Sequence, residues 1–94
     1  MIRLIWSTQA QQELLDIAEH YDGIDPDLAN VIVDRVEASV SPLVEFPRLG
    51  AIIDRNGARK WRVPRTPFIL LYDVTAERIE ILSVSHARSD WAEP

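Results

Sequence analysis

Six cations fall within residues 48–65 (Arg48, Arg55, Arg59, Lys60, Arg62 and Arg65), with Asp54 the single acid among them. That local excess of +5 is suited to binding anions, and arginine in particular makes paired contacts to carboxylate or phosphate. A histidine, His86, closes an apolar run further along the chain. Its ordinary pKa near 6.5 would let it act as a general acid or base. A histidine with phosphate-binding arginines is a parts list for metal-free RNA cleavage: a base takes the 2′-hydroxyl proton, an acid protonates the leaving oxygen, and cations hold the phosphorane. The same cations without the histidine make a landing surface for an acidic partner segment. Each residue also has a plainer reading. His86 fits a hydrogen-bonded strand end, and the cations fit surface ion pairs with Asp54, Asp73 or Glu80, contacts of small energetic worth. His20 reads as a solvated helix residue. Trp6 and Trp61 read as packing residues, and Trp91 as a tail anchor or a partner contact.

These side chains need a scaffold. Three strand-like runs stand in series: Arg59 to Arg65, Phe68 to Val74 and Ile79 to His86. Thr66-Pro67 and Thr75-Ala76-Glu77 separate them. The middle run is apolar at alternate and intervening positions, as a central strand covered on both faces requires. Upstream, residues 2–6 are apolar enough for a first strand. Ser7 or Thr8 then caps a helix, with Thr8-Gln9-Ala10-Gln11 as a capping box. Ala10, Leu14, Ile17, Ala18 and Tyr21 make its apolar stripe, with Glu13, Asp16, Glu19 and His20 off it. Gly23 suits a left-handed terminal position. Asp25-Pro26-Asp27 opens a second helix, whose stripe is Leu28, Ile32, Val36, Val40 and Leu43. Pro42 predicts a break near residues 39–41. Phe46-Pro47-Arg48-Leu49-Gly50 is the exit, Ala51-Ile52-Ile53-Asp54 a short extended piece, and Arg55-Asn56-Gly57 a turn.

The order predicts an α+β layer: an N-terminal strand, then an antiparallel helical hairpin packed on a small, mostly antiparallel sheet of three to four strands. The first strand cannot pair with a neighbour in sequence, so a long crossover through the helices is needed. Ninety-four residues fit one domain, 1–94, whose modest core a partner would usefully supplement. The 47% hydrophobic share excludes a disordered chain. There is no cysteine, so disulfides and thiol catalysis are excluded. No signal-peptide pattern or run of membrane-spanning length is present, which predicts a cytoplasmic protein with no membrane role. No ligand-spaced Asp/Glu/His cluster or glycine-rich phosphate loop is present, so neither metal nor cofactor is expected. The net charge of −5 is unevenly shared. Residues 1–47 hold nine acids and two cations, and residues 48–94 hold eight cations and six acids.

As an ordered set these features resemble the RelE/ParE toxin superfamily, and within it the ParE-like branch. The set comprises the opening strand and capped helix with Ala10 and Leu14; the second helix from Ala29 through Val36; the Leu43…Phe46-Pro47…Gly50 exit; the basic Arg62-Val63 strand; the aromatic strand ending Leu71-Tyr72; and the closing Ile81…Val84…His86…Arg88…Trp91. The resemblance implies the toxin of a type II toxin–antitoxin pair, held in a hetero-oligomer by an antitoxin with a dimeric DNA-binding head and a disordered tail. ParE-like members are associated with inhibition of DNA gyrase, RelE-like members with cleavage of messenger RNA on the ribosome. RelE-like nucleases tend to carry an arginine in the aromatic central strand, where this chain reads Phe68-Ile69-Leu70-Leu71-Tyr72. They are also strongly basic, whereas this chain has a sequence pI of 4.8. The expectation is therefore a gyrase-binding toxin with no catalytic residues. Arg59, Lys60, Arg62, Arg65, Arg88 and Trp91 would be its partner-binding set. The alternatives are an endoribonuclease using His86, Arg62 and Arg65, or a non-toxic antitoxin-binding relative.

Overall fold

The computed structural model describes residues 2–87. The chain opens with strand β1 (Arg3–Trp6) and turns into helix α1 (Thr8–Asp22) at Ser7. Ser7 is the cap: its hydroxyl accepts from the Ala10 N–H at 3.0 Å, which satisfies one of the orphan donors of a helix start. The expected capping box does not form, because Gln11 lies one residue too far along to close it. Its amide instead donates to the Trp6 carbonyl at 2.9 Å. Gly23 ends the helix in right-handed rather than left-handed geometry, at φ −66°.

Helix α2 (Pro26–Ser39) starts at Asp25, whose carboxylate accepts from the Asp27 N–H at 3.0 Å. The break expected at Pro42 is real. The helix stops at Ser39, and a single-turn helix α3 (Ser41–Glu45) restarts with Pro42 in its first turn, where a missing N–H costs nothing. Of the α2 stripe, Ile32, Val36, Val40 and Leu43 are buried, and Ala29 rather than Leu28 completes it.

Strands β2 (Ala51–Ile52), β3 (Arg59–Arg62), β4 (Phe68–Val74) and β5 (Arg78–His86) follow. The sheet has five strands in the order β1-β5-β4-β3-β2, one or two more than the sequence suggested, because β1 and the two-residue β2 both join it. β1 runs parallel to β5 through the helical crossover, and every other pair is antiparallel. Alternate residues of β4 (Phe68, Leu70, Tyr72) and of β5 (Ile79, Ile81) are buried with Ala10, Ile32, Val36, Leu43 and Val63 in one core. That core lies between the sheet and the helices, the arrangement a one-sided helical layer demands.

β5 carries a bulge. Leu71 pairs with Ser83 while Tyr72 pairs with Ile81, so Leu82 has no partner on β4. The start of α1 closes this irregular edge. Ser7 N–H donates to the Ile81 carbonyl at 2.9 Å, Ser7 Oγ donates to the Leu82 carbonyl at 2.9 Å, and Glu13 Oε1 accepts from the Val84 N–H at 2.9 Å. Glu13, which reads as a solvent-facing residue in the helical pattern, is thus a substitute for the strand that β5 lacks beyond Trp6.

Candidate functional site

The register sorts the basic residues of β3 onto two faces. Directly paired residues share a face. Arg59 and Trp61 pair with Tyr72 and Leu70, so they belong to the helix-facing side. Lys60 and Arg62 pair with Leu71 and Ile69, on the side away from the core, and both are exposed. Their neighbours Ile69 and Leu71 are half-buried, which gives that face an apolar middle with cations along one flank.

Arg59 is committed internally. Its Nη1 donates to the Gly50 carbonyl at 2.7 Å and to the Arg48 carbonyl at 3.2 Å. Beside it the Tyr72 hydroxyl donates to the Pro47 carbonyl at 2.7 Å and accepts from the Gly50 N–H at 2.8 Å. Burial pushes the Tyr72 phenol above its ordinary pKa, against the opposing pull of the Gly50 N–H and the Arg59 charge. Together Tyr72 and Arg59 fasten the Phe46–Gly50 exit to the sheet. Gly50 is required there by space: a Cβ would lie 2.5 Å from the Lys60 carbonyl oxygen and 2.6 Å from the Tyr72 hydroxyl. The fastened loop leaves Phe46 61% exposed and Leu49 50% exposed.

Arg65 sits in the β3–β4 turn with φ +60°, a left-handed conformation that costs a non-glycine residue about 1–2 kcal/mol. The turn is held around it. The Val63 N–H donates to the Phe68 carbonyl at 3.0 Å, and the buried Thr66 hydroxyl donates to the Val63 carbonyl at 3.0 Å. Arg35 Nη1 donates to the Arg65 carbonyl at 3.0 Å. Arg35 and Arg65 therefore flank a notch of about 220 Å3 that is also walled by Trp61, Pro42 and Pro64. Trp61 Nε1 donates to the Ser39 carbonyl at 2.8 Å, which anchors this tryptophan as a packing residue. Among the described residues, Arg78–Glu80 at 3.9 Å forms an ion pair; none of the six cations of residues 48–65 is paired with a carboxylate.

His86 ends β5 on the helix-facing side, paired with Phe68 and in edge-to-face contact with its ring at 5.8 Å. Arg62, paired with Ile69, faces the other way. The nuclease alternative needs His86, Arg62 and Arg65 around one phosphate; the sheet brings Arg62 and His86 to opposite faces. Arg88 and Trp91 lie outside the described residues. Among the described residues no cluster of three or more His, Asp or Glu could hold a metal, and no helix is long and apolar enough to cross a membrane.

Of the sequence-nominated cations, then, Lys60 and Arg62 share a surface, Arg65 stands at the turn beyond them, and Arg59 serves the loop. What sequence reasoning missed was the Tyr72–Gly50–Arg59 fastening. Its only signal was a polar-tipped tyrosine inside an apolar strand, which must find a partner when buried.

Comparison with known proteins places this geometry. Residues 4–91 match the family model described as the ParE toxin of the type II toxin–antitoxin system parDE. A protein of Sinorhizobium fredii (strain NBRC 101917 / NGR234), named "Putative toxin Y4kP", is 30% identical over 89 residues, covering 95% of this chain and 92% of its own. A solved structure titled "Chromosomal ParDE TA system from P. aeruginosa" superposes with a TM-score of 0.81 at 28% identity, over 92% of this chain and 96% of that one. With the helical hairpin, the mixed sheet and nearly the full length all in agreement, the chain belongs to the ParE toxin family of type II toxin–antitoxin systems.

Proposed function

We propose that this toxin arrests growth by binding DNA gyrase in the cytoplasm, with no reaction of its own, and that a cognate antitoxin neutralises it by covering its surface. The observation that carries the first part is the register: Arg62 and His86 project from opposite faces of the sheet, so this histidine does not stand beside the exposed cations of β3. β4 adds no cation of its own between Phe68 and Val74. An overall charge of −5 also disfavours docking on ribosomal RNA, where release of counterions rewards basic proteins. The likeness to the chromosomal ParDE TA system of P. aeruginosa supports neutralisation by a cognate antitoxin. For this chain we assign the antitoxin's acidic stretch to Lys60, Arg62 and Arg65, with Arg88 and Trp91 as further contacts. Arg59 supports that surface from behind.

Expression of the toxin without its antitoxin tests the reading. The expected phenotype is filamentation and a DNA-damage response with transcripts intact. Rapid cleavage of translated messages would select the ribosome-dependent endoribonuclease instead, and normal growth would select a non-toxic antitoxin-binding relative.

A further inference from the structure

We propose that the notch at the β3–β4 turn is a binding site for a carboxylate carried on a short apolar stem, either a glutamate side chain or a free carboxylic acid of that size. The inference goes beyond the assignment of antitoxin contacts. It concerns a recess on the helix side of the turn, and it holds whichever target the toxin acts on.

The notch, about 220 Å3, lies where the end of α2 and the start of α3 meet β3 and its following turn. No acid lines it, and among the described residues neither Arg35 nor Arg65 is ion-paired. Two cations therefore share one recess without compensation. Arg35 is half-buried and tethered: its Nη1 donates to the Arg65 carbonyl, which leaves its other N–H groups for a ligand. Arg65 holds φ +60°, a conformation that glycine would adopt with less strain. An arginine kept in such a conformation points to a use for its side chain. The negative end of α2 does not oppose an anion here at full strength, because the Ser39 carbonyl already accepts from Trp61 Nε1.

The walls select the anion. Apart from the two guanidinium groups, the lining side chains have no donor left. The Trp61 indole N–H is taken by the Ser39 carbonyl, and the Ser39 hydroxyl by the Val36 carbonyl. Pro42 and Pro64 have no N–H at all. A phosphate needs donors around all its outer oxygens and would be left short. A carboxylate has two oxygens, which arginine forks satisfy in pairs. Trp61, Pro42 and Pro64 then offer apolar surface to the stem behind it. The volume is below the roughly 300–1,000 Å3 of a pocket for a drug-sized ligand, so it admits a group the size of one side chain.

The probes are butyrate and a capped alanine pentapeptide with a central glutamate. The controls are the same peptide with glutamine and inorganic phosphate. Each is titrated into the full chain while the Trp61 indole N–H is followed by nuclear magnetic resonance. At least one carboxylate probe is expected to shift that signal saturably. Tighter binding of the peptide assigns the site to a polypeptide-borne glutamate, and tighter binding of butyrate to a free acid. Both controls should bind about tenfold more weakly or not at all. Arg65→Gly removes the guanidinium and relieves the turn, so it should weaken the carboxylate probes about tenfold while the protein melts at or above the parent's temperature. Four results would overturn the proposal: no saturable shift with either carboxylate, a glutamine peptide or phosphate that binds as tightly, affinity unchanged in Arg65→Gly, or an Arg65→Gly protein that melts well below the parent, since the arginine would then serve the turn itself.

Discussion

Gly50→Ala is expected to be among the most damaging single-methyl changes in this chain. The added Cβ would sit 2.5 Å from the Lys60 carbonyl oxygen, 2.6 Å from the Tyr72 hydroxyl and 2.7 Å from Tyr72 Cε1. None of these can yield cheaply. The carbonyl belongs to β3, and the tyrosine is buried and bonded at its tip to Pro47. Overpacking of this kind costs about 1–3 kcal/mol. If Tyr72 swings away, the Gly50 N–H and the Pro47 carbonyl lose their partner, at about 1–3 kcal/mol more. The sum, about 2–6 kcal/mol, is a large part of what a domain of this size possesses. It corresponds to a melting temperature lower by roughly 10–50 °C. The control is Tyr72→Phe, which keeps the ring, removes the two hydroxyl bonds and should cost about 1–3 kcal/mol. In the double variant one of the three clashes is gone, so its loss should fall short of the sum of the two single losses. Thermal and denaturant unfolding of the four proteins reads this directly. A Gly50→Ala protein within about 0.5 kcal/mol of the parent, the range of an unremarkable surface change, would refute the steric reasoning.

The same tyrosine gives a pH prediction. Burial holds its phenol protonated above the ordinary value near 10, so the unfolded chain ionises first. The unfolded state then holds fewer protons, and the stability lead of the parent over Tyr72→Phe should stay level below about pH 10 and shrink above it. A lead that grows with pH would contradict this. Glu13→Ala should cost about 1–3 kcal/mol, because the Val84 N–H on the bulged strand loses its acceptor, whereas Glu13→Gln should recover most of that loss. Equal losses for the two variants would mean that charge, and not the acceptor, matters there. Joint reversal of Lys60 and Arg62 to glutamate should weaken antitoxin binding, and more at low salt than at high. An affinity unchanged at every ionic strength would remove β3 from the docking surface.

The layers of this fold were legible because local patterns agreed with the global answer. The Asp25-Pro26-Asp27 start, the Pro42 break and the buried runs of β4 and β5 are set by short-range rules. The strand count was not so legible. β2 is two residues long, and the pairing of β1 with β5 is a contact seventy-five residues apart in sequence at Arg3–Arg78, which no periodicity encodes. The bulge at Leu82 was invisible for the same reason, and with it the role of Glu13. The candidate site was half legible. Composition located the arginines, but only the register divides Arg59 from Lys60 and Arg62, since a strand sends neighbours to opposite faces. The apolar groove between β1 and the two helices was hidden because its lining comes from three elements; Trp6 reads as a packing residue and Leu14 as part of the α1 stripe, and neither pattern brings them together.

The central claim is that this toxin acts by occupying gyrase and performs no chemistry. Supercoiling by purified gyrase, measured with the purified toxin, is its most direct test. The account predicts dose-dependent inhibition that His86→Ala leaves intact and that the antitoxin reverses. Undiminished supercoiling at saturating toxin, together with cleavage of ribosome-bound message that His86→Ala abolishes, would contradict it.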